Sequence, residues 1–312
     1  MEIYQRIETI KERPAVVLAI GAFDGIHRGH RAIIAKTREE AQRRSVKSML
    51  MTFSPTPREV LGSEKEIALM KADEKIAMIR GLQIDMLCIR AFNRHFAGTS
   101  REDFVTRLLK YLDLKALVAG PDHHIGKQHE GGIAFLQNCA NVYGFDLLIV
   151  PKSTYQGSEI SSQRIRRAIK QGRIEDVNAM LGYKYRISGK VIPGRMRGRK
   201  LGFPTLNVKP HLERCLIPAM GVYCVRLTLD GREYPAVCNI GTRPTFAEDG
   251  ISLEVHAIGA KLDTQYGKAL EIRFEHFIRE ERKFDNEADL ISRIENDIET
   301  CKTYLTEEKC QV

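Results

Sequence analysis

Five short apolar runs set the rhythm of the first half of the chain: AVVLAI (15–20), SMLMTF (48–53), MLCIRAF (86–92), ALVAG (116–120) and DLLIVP (146–151). Between them lie longer segments whose apolar residues recur three and four apart. One of these, SREDFVTRLLKYL, opens on Ser100 with Asp103 three residues on, which predicts a capped helix start. A strand that is apolar at nearly every position has to be covered on both faces. Strands alternating with helices therefore describe a parallel sheet between helical layers. Ligands of such sheets sit beyond the carboxyl ends of the strands.

After about residue 182 the rhythm changes. GVYCVRLTL and REYPAVCNIG flank Asp230-Gly231, a strong two-residue hairpin signal, and SLEVHAIG and ALEIRFEHFI add further alternating strands. From Asn286 onward Leu290, Ile291, Ile294, Ile298 and Leu305 follow helical spacing. This half predicts an all-β barrel or sandwich closed by a C-terminal helix. A length of 312 residues suits two domains, and the change of pattern divides them into 1–182 and 183–312.

Lys and Arg number 49 against 40 Asp and Glu, a net charge of +9, which favours anionic partners: nucleotides, nucleic acid or acidic lipid. The chain has no Trp and 7% aromatic residues, so stacking platforms are few, and this argues against nucleic acid. The seven cysteines, Cys88, Cys139, Cys215, Cys224, Cys238, Cys301 and Cys310, are scattered without a CxxC pair. That points to buried thiols in a reducing compartment rather than a disulfide framework or a zinc ribbon. The charged start MEIYQRIETIKERP is no signal peptide, and no stretch approaches the about 20 apolar residues of a membrane span. A soluble cytoplasmic protein without a membrane partner is expected; the oligomeric state is not legible.

GAFDGIHRGH (21–30) follows the first predicted strand and leads into a helix. Free N–H groups and the helix dipole favour an anion at such a turn. His27 and His30 share a face of the first helical turn, and Gly29 leaves room for close approach. Two imidazoles there suit phosphate oxygens; zinc is the rival, but HExxH is absent and no third ligand is near. A second phosphate signal, EISSQRIRRAIKQG (159–172), places Ser161 and Ser162 at a helix start, followed by Arg164, Arg166 and Arg167.

In the second half VIPGRMRGRKLGFPTLNV (191–208) interleaves Gly194, Gly198 and Gly202 with Arg195, Arg197, Arg199 and Lys200. Glycines let a backbone close on phosphates while the cations offset their charge. The spacing is not that of a Walker loop; an RNA-binding basic loop is the other reading of these residues. Thr205 and Asn207 follow on an extended segment and offer hard oxygen ligands suited to Mg²⁺. In SLEVHA (252–257) Leu253 and Val255 point to one face, Glu254 and His256 to the other. A carboxylate so placed can take a proton from an attacking hydroxyl.

IGAFDGIHRGH, SSQRIR, GRKLGFPTLN, NIGTRPTF, LEVHA and YGKALEIRFEHFIREERKF occur in an order and spacing that closely resembles the bacterial bifunctional riboflavin kinase/FMN adenylyltransferases, nearly end to end. The resemblance implies a Rossmann-like nucleotidylyltransferase domain, a parallel α/β sheet, followed by an antiparallel β-barrel kinase with a C-terminal helix. It implies that the kinase turns riboflavin and ATP into FMN, and that the first domain joins FMN to AMP as FAD, releasing pyrophosphate. Gly21, Phe23, Asp24, His27, Gly29 and His30 would hold ATP in the first domain, with Ser161, Ser162 and Arg166 opposite. In the kinase Gly194, Arg199, Gly202, Phe203 and Pro204 would hold ATP, and Asn239, Gly241 and Arg243 the flavin. Thr205 and Asn207 would hold Mg²⁺, and Glu254 would be the base for the ribityl hydroxyl.

Three departures from the family pattern fall in the first half. Thr56 stands in SPTP where the family has the His of PHP; GPDHHIGK (120–127) replaces an Asn-Phe-x-Phe-Gly stretch; and Gln163 replaces a Thr. They raise an alternative, an active kinase whose first domain has lost or changed its flavin adenylyltransferase activity. They also raise a metal cluster of His123, His124 and His129.

Overall fold

The structure, a computed structural model, describes the chain except residues 63–66, 195–196, 212–215, 243–250, 263–264, 283, 285 and 311–312. It divides into two compact units, Met1–Ser162 and Gln163–Val312.

The first unit is built on six parallel strands: β1 (Glu2–Tyr4), β2 (Ala15–Ile20), β3 (Lys47–Phe53), β4 (Met86–Arg90), β5 (Asp113–Ala119) and β6 (Asp146–Ile149). They lie in the order β1-β4-β3-β2-β5-β6. The five apolar runs become β2 to β6; β1, three residues long, carries too little pattern to show in the sequence. The helices between them are α1 (Arg28–Arg43), α2 (Pro57–Leu61), α3 (Ala72–Gly81), α4 (Arg94–Ala97), α5 (Arg101–Tyr111) and α6 (Ile133–Tyr143). The Ser100 hydroxyl accepts from the Asp103 N–H at 3.1 Å, as the helix-start pattern predicts. Val16 to Ala19 have no exposed surface, the two-sided burial their run requires. After β4 the chain crosses back to place β5 on the other side of β2. The switch of direction therefore opens at the carboxyl end of β2, where Gly21 begins. A two-stranded ribbon, β7 (Thr154–Tyr155) and β8 (Ser158–Glu159), comes after β6.

The second unit begins within α7 (Ser162–Lys170), and α8 (Ile174–Leu181) comes next. These helices precede the expected change at 182 but pack with the strands beyond it. Asn178 of α8 donates to the Phe274 carbonyl at 2.9 Å and accepts from the Tyr185 N–H at 2.7 Å. Strands β9 (Arg186–Ile192), β10 (Leu206–Pro210), β11 (Gly221–Leu229), β12 (Arg232–Thr242), β13 (Ile251–Ala257) and β14 (Ala269–Arg279) close into an antiparallel barrel, which decides between barrel and sandwich. A short α9 (Arg197–Lys200) lies between β9 and β10. Asp230 and Gly231 both take left-handed backbone, φ 50° and 73°, as a tight hairpin needs.

The C-terminal helix α10 (Glu287–Cys310) packs Cys301 and Leu305 against Val222, Cys224 and Val237. Here the structure corrects the expectation of thiols throughout: Cys224 and Cys301 form a disulfide, Cα–Cα 5.1 Å, across 77 residues of sequence. No spacing rule reports such a pair, because docking of α10 on β11 creates it. Cys88, Cys139 and Cys238 are buried free thiols, as expected.

Candidate active sites

In the first unit, the turn from β2 to α1 carries the histidines. Phe23, Gly25 and Ile26 have φ of 44°, 81° and 36°. Left-handed backbone is easy for glycine, but for Phe and a β-branched Ile it costs about 1–3 kcal/mol each. The surroundings hold it: Phe23 and Ile26 are wholly buried, and the Gly21 N–H donates to the Met51 carbonyl at 3.0 Å. The buried Asp24 accepts the Leu69 N–H at 2.8 Å on its carboxylate. Its backbone carbonyl accepts the Ser162 hydroxyl at 3.0 Å. That bond joins two motifs that lie 138 residues apart.

His27 caps α1, its Nδ1 accepting from the His30 N–H at 3.4 Å. An acceptor Nδ1 leaves the proton of a neutral ring on Nε2, a donor aimed away from the helix. The His27 and His30 rings stack, centroids 3.7 Å apart, and Phe23 meets His30 edge-on at 5.4 Å. A Cβ on Gly29 would press on the His27 ring at 3.3 Å, so glycine keeps that ring in place. Burial lowers His27 to about 4. Burial, with the charges of His27 and Lys75 added, takes His30 well below the ordinary imidazole range. At neutral pH both rings are uncharged hydrogen-bonding groups.

Lys75 is a residue that the motifs did not reveal. It is 5% exposed, and its ammonium donates to the Ala22 carbonyl at 2.8 Å, the Phe53 carbonyl at 3.3 Å and the Thr52 hydroxyl at 3.4 Å. Its signal in the sequence was a Lys four residues before Ile79, on the face that α3 buries.

One of the departures has a local explanation. Thr56 caps α2: its hydroxyl accepts from the Glu59 N–H at 3.4 Å while its own N–H donates to the Glu59 carboxylate at 2.7 Å. In GPDHHIGK, burial lowers His123 to about 4, and its Nε2 has no partner among the described residues. His124 Nδ1 donates to the Asp122 carbonyl at 2.7 Å. The His129 side chain lies outside the described residues, among which no group of three or more His, Cys, Asp or Glu could hold a metal. Ser161 is exposed just before α7, and Arg166 is buried within it, beyond Gln163.

In the second unit the strand register assembles the site. Glu254 of β13 lies opposite Asn207 of β10 on one side and Asn239 of β12 on the other. Leu253, Val255, Val208, Cys238 and Ile240 point into the barrel and are buried. By alternation Asn207, Glu254 and Asn239 share the outer face as one row. Asn207 is nonetheless only 7% exposed. A Cβ on Gly194 would fall 2.0 Å from its amide nitrogen, so the segment after β9 rests directly on it. The Thr205 hydroxyl donates to the Glu254 carboxylate at 3.4 Å.

The connection through α9 is tight for a reason. A Cβ on Gly198 would meet the Phe203 carbonyl at 2.3 Å, Phe203 N–H donates to the Gly198 carbonyl at 2.8 Å, and Gly202 has φ 89°. His256, on the Glu254 face, donates from Nδ1 to the Pro204 carbonyl at 2.9 Å and meets the Phe203 ring edge-on at 5.7 Å. The sequence placed His256 beside Glu254 without giving it this anchoring contact. Arg199 is exposed on α9. Gly241 is covered by Glu281, whose carboxylate oxygen lies 2.3 Å from where a Cβ would be. Arg243 lies outside the described residues.

A parallel sheet with a histidine-capped helix at its switch point, joined to a barrel with a carboxylate between two amides, defines a two-part transferase of nucleotide phosphates. Residues 9–164 match the family described as FAD synthetase, and residues 181–305 the family described as riboflavin kinase. The bifunctional riboflavin kinase/FMN adenylyltransferase of Escherichia coli is 36% identical over 310 residues, 97% of this chain and 98% of that one. That of Bacillus subtilis is 36% identical over 303 residues, 95% of each chain. A solved Streptococcus pneumoniae structure described as a macrolide-efflux protein superposes with a TM-score of 0.87 at 26% identity, over 96% of this chain and 98% of that one. No described helix here is long and apolar enough to cross a membrane. The chain belongs to the bifunctional riboflavin kinase/FMN adenylyltransferase family. Its FAD synthetase match over 9–164 favours an adenylyltransferase over the alternative of a first half that has lost or changed that activity.

Proposed function

We propose that the chain makes FAD from riboflavin in two ATP-dependent steps, the second at the His27–His30 turn and the first on the Asn207–Glu254–Asn239 row. The observation that carries this reading is where the fold puts each motif: the turn at the switch point of a parallel sheet, the row on neighbouring barrel strands.

In the kinase step Glu254 accepts the proton of the ribityl hydroxyl as its oxygen attacks the γ-phosphorus of ATP, and ADP leaves with the bridging oxygen. The oxygen donors of Thr205 and Asn207 fit Mg²⁺, and the bare Cα of Gly194 keeps the Asn207 amide in place. Bound there, Mg²⁺ would offset the charge of the nucleotide phosphates. Gly194, Arg199, Gly202, Phe203 and Pro204 form the ATP side, and Asn239, Gly241 and Arg243 the flavin side.

In the second step the FMN phosphate attacks the α-phosphorus of ATP, and the bond to the bridging oxygen breaks to release pyrophosphate. No proton needs to move, so positioning and charge stabilisation suffice. Neutral His27 donates from Nε2 to phosphate oxygens beside His30, while Ser161 and Ser162 serve the same phosphates. This assigns 1–182 to adenylyl transfer and 183–312 to phosphorylation, in a cytoplasmic protein that needs only small-molecule substrates.

The test separates flavin products after incubation with ATP, Mg²⁺ and either riboflavin or FMN. The chain is expected to give FMN and FAD from riboflavin, and FAD from FMN. Asn207→Ala should abolish FMN formation yet leave FAD formation from FMN, and His27→Ala should do the reverse. FMN from riboflavin with no FAD from either substrate would overturn the first-unit assignment. Loss of both activities in a folded Asn207→Ala protein would overturn the separation of sites.

A further inference from the structure

On α3 the two fully interior residues are Ile79 and Lys75, four apart on one face. Ile79 fills space; Lys75 brings a charge into it. Its ammonium has three protons and three acceptors, the Ala22 carbonyl at 2.8 Å, the Phe53 carbonyl at 3.3 Å and the Thr52 hydroxyl at 3.4 Å. Thr52 itself donates to the Ala22 carbonyl at 3.0 Å. Ala22 stands in the turn just after β2, and Phe53 ends β3, so the cation clamps the carboxyl ends of two neighbouring strands at the switch point. The next residue after Ala22 is Phe23, whose left-handed backbone needs support from outside the turn.

A neutral donor could make such bonds without the desolvation that a buried ammonium incurs. What the ammonium adds is charge. That charge reaches the site: it opposes protonation of His30 alongside the stacked His27. Burial lowers Lys75 itself, while the carboxylates of Asp24 and Glu59 favour its charged form.

We propose that Lys75 is a positioning residue for adenylyl transfer: its ammonium fixes the turn that presents His27 and His30 and places positive potential beneath the bound triphosphate. It does not touch the nucleotide, since its protons are committed to the protein. The inference rests on the reading of the first unit as the FMN adenylyltransferase.

The test compares the full-length wild type with Lys75→Met, which keeps the volume and removes the charge, and Lys75→Arg, which keeps the charge. FAD formation from FMN and ATP is measured from pH 3.5 to 9, with riboflavin phosphorylation in the same preparation as a control for the second unit. Lys75→Met is expected to lower kcat for FAD formation roughly 10- to 100-fold. It should also raise KM for ATP, and move the acid limb of the profile to higher pH, because His30 then takes a proton more readily. Lys75→Arg should recover most of the rate and return the acid limb. FAD formation within twofold of wild type in Lys75→Met would overturn the proposal. So would a loss of activity with an unmoved acid limb and no recovery in Lys75→Arg, the pattern of packing alone. Proton NMR titration of His27 and His30 gives the same comparison without turnover. If the wild type made no FAD, the first-unit reading would fall, and an unchanged His30 titration in Lys75→Met would then separately overturn the role of Lys75.

Discussion

Asn207, Glu254 and Asn239 stand in a row because three neighbouring strands share one register, whereas His27 and His30 reach their place through a turn that holds Phe23 and Ile26 in left-handed backbone. The barrel site is written on ladder hydrogen bonds that form wherever β10, β12 and β13 form. The sheet site depends on long-range props: Leu69 on the Asp24 carboxylate, Ser162 on its carbonyl, Lys75 on Ala22. A site carried by register tolerates change around it and is sensitive to its own side chains. A site carried by a strained turn is sensitive to residues that never meet the ligand.

The sharpest way to break this comparison is at the centre of the row. Glu254→Gln keeps the shape and removes the proposed base, and FMN formation should fall about 100- to 10,000-fold. FAD formation from supplied FMN should stay within twofold, both read by chromatography of the flavins. Next is a place where the barrel site leans on a neighbouring segment. Gly194→Ala puts a methyl where the Asn207 amide lies, 2.0 Å from its nitrogen. Displacement of that amide should lower FMN formation by up to about 100-fold, with the barrel still folded by circular dichroism.

A third measurement addresses the sheet unit as a whole. His27 and His123 sit at about 4, and His30 is also lowered, all by burial, against an ordinary 6.5. Between roughly pH 6.5 and 4 the unfolded chain therefore binds more protons than the folded one, and stability falls as pH falls through that window. Hydrogen-exchange mass spectrometry should show peptides from 15–30 losing protection across it, and His27→Asn should blunt the loss. The smallest effect is expected at Thr56. Thr56→Ala removes one cap, about 1 kcal/mol of stability, seen as a downward shift of a few degrees in Tm with FAD formation within about threefold of wild type.

How much of this was legible beforehand depends on how local each signal is. The runs at 15–20 and 146–151 announced buried parallel strands because period and apolarity are properties of a few adjacent residues. Asp230-Gly231 announced its hairpin because the turn needs left-handed backbone at two successive positions. Leu253 and Glu254 fell on opposite faces by simple alternation. Thr56 looked like a lost histidine in the sequence, and its capping role needed the helix that it starts.

By itself the sequence determined a parallel α/β half followed by an all-β half, the order of the motifs and the residue types they offer to phosphate, since periodicity and motif spacing are written along the chain. Only the tertiary structure decided that Cys224 and Cys301 join, that Ser162 meets Asp24, that both site histidines are neutral, and that Lys75 is tied to the histidine turn. Each of these joins residues far apart in sequence or depends on burial. Burial and long-range contact arise only when separate elements pack, and no single stretch of sequence contains them.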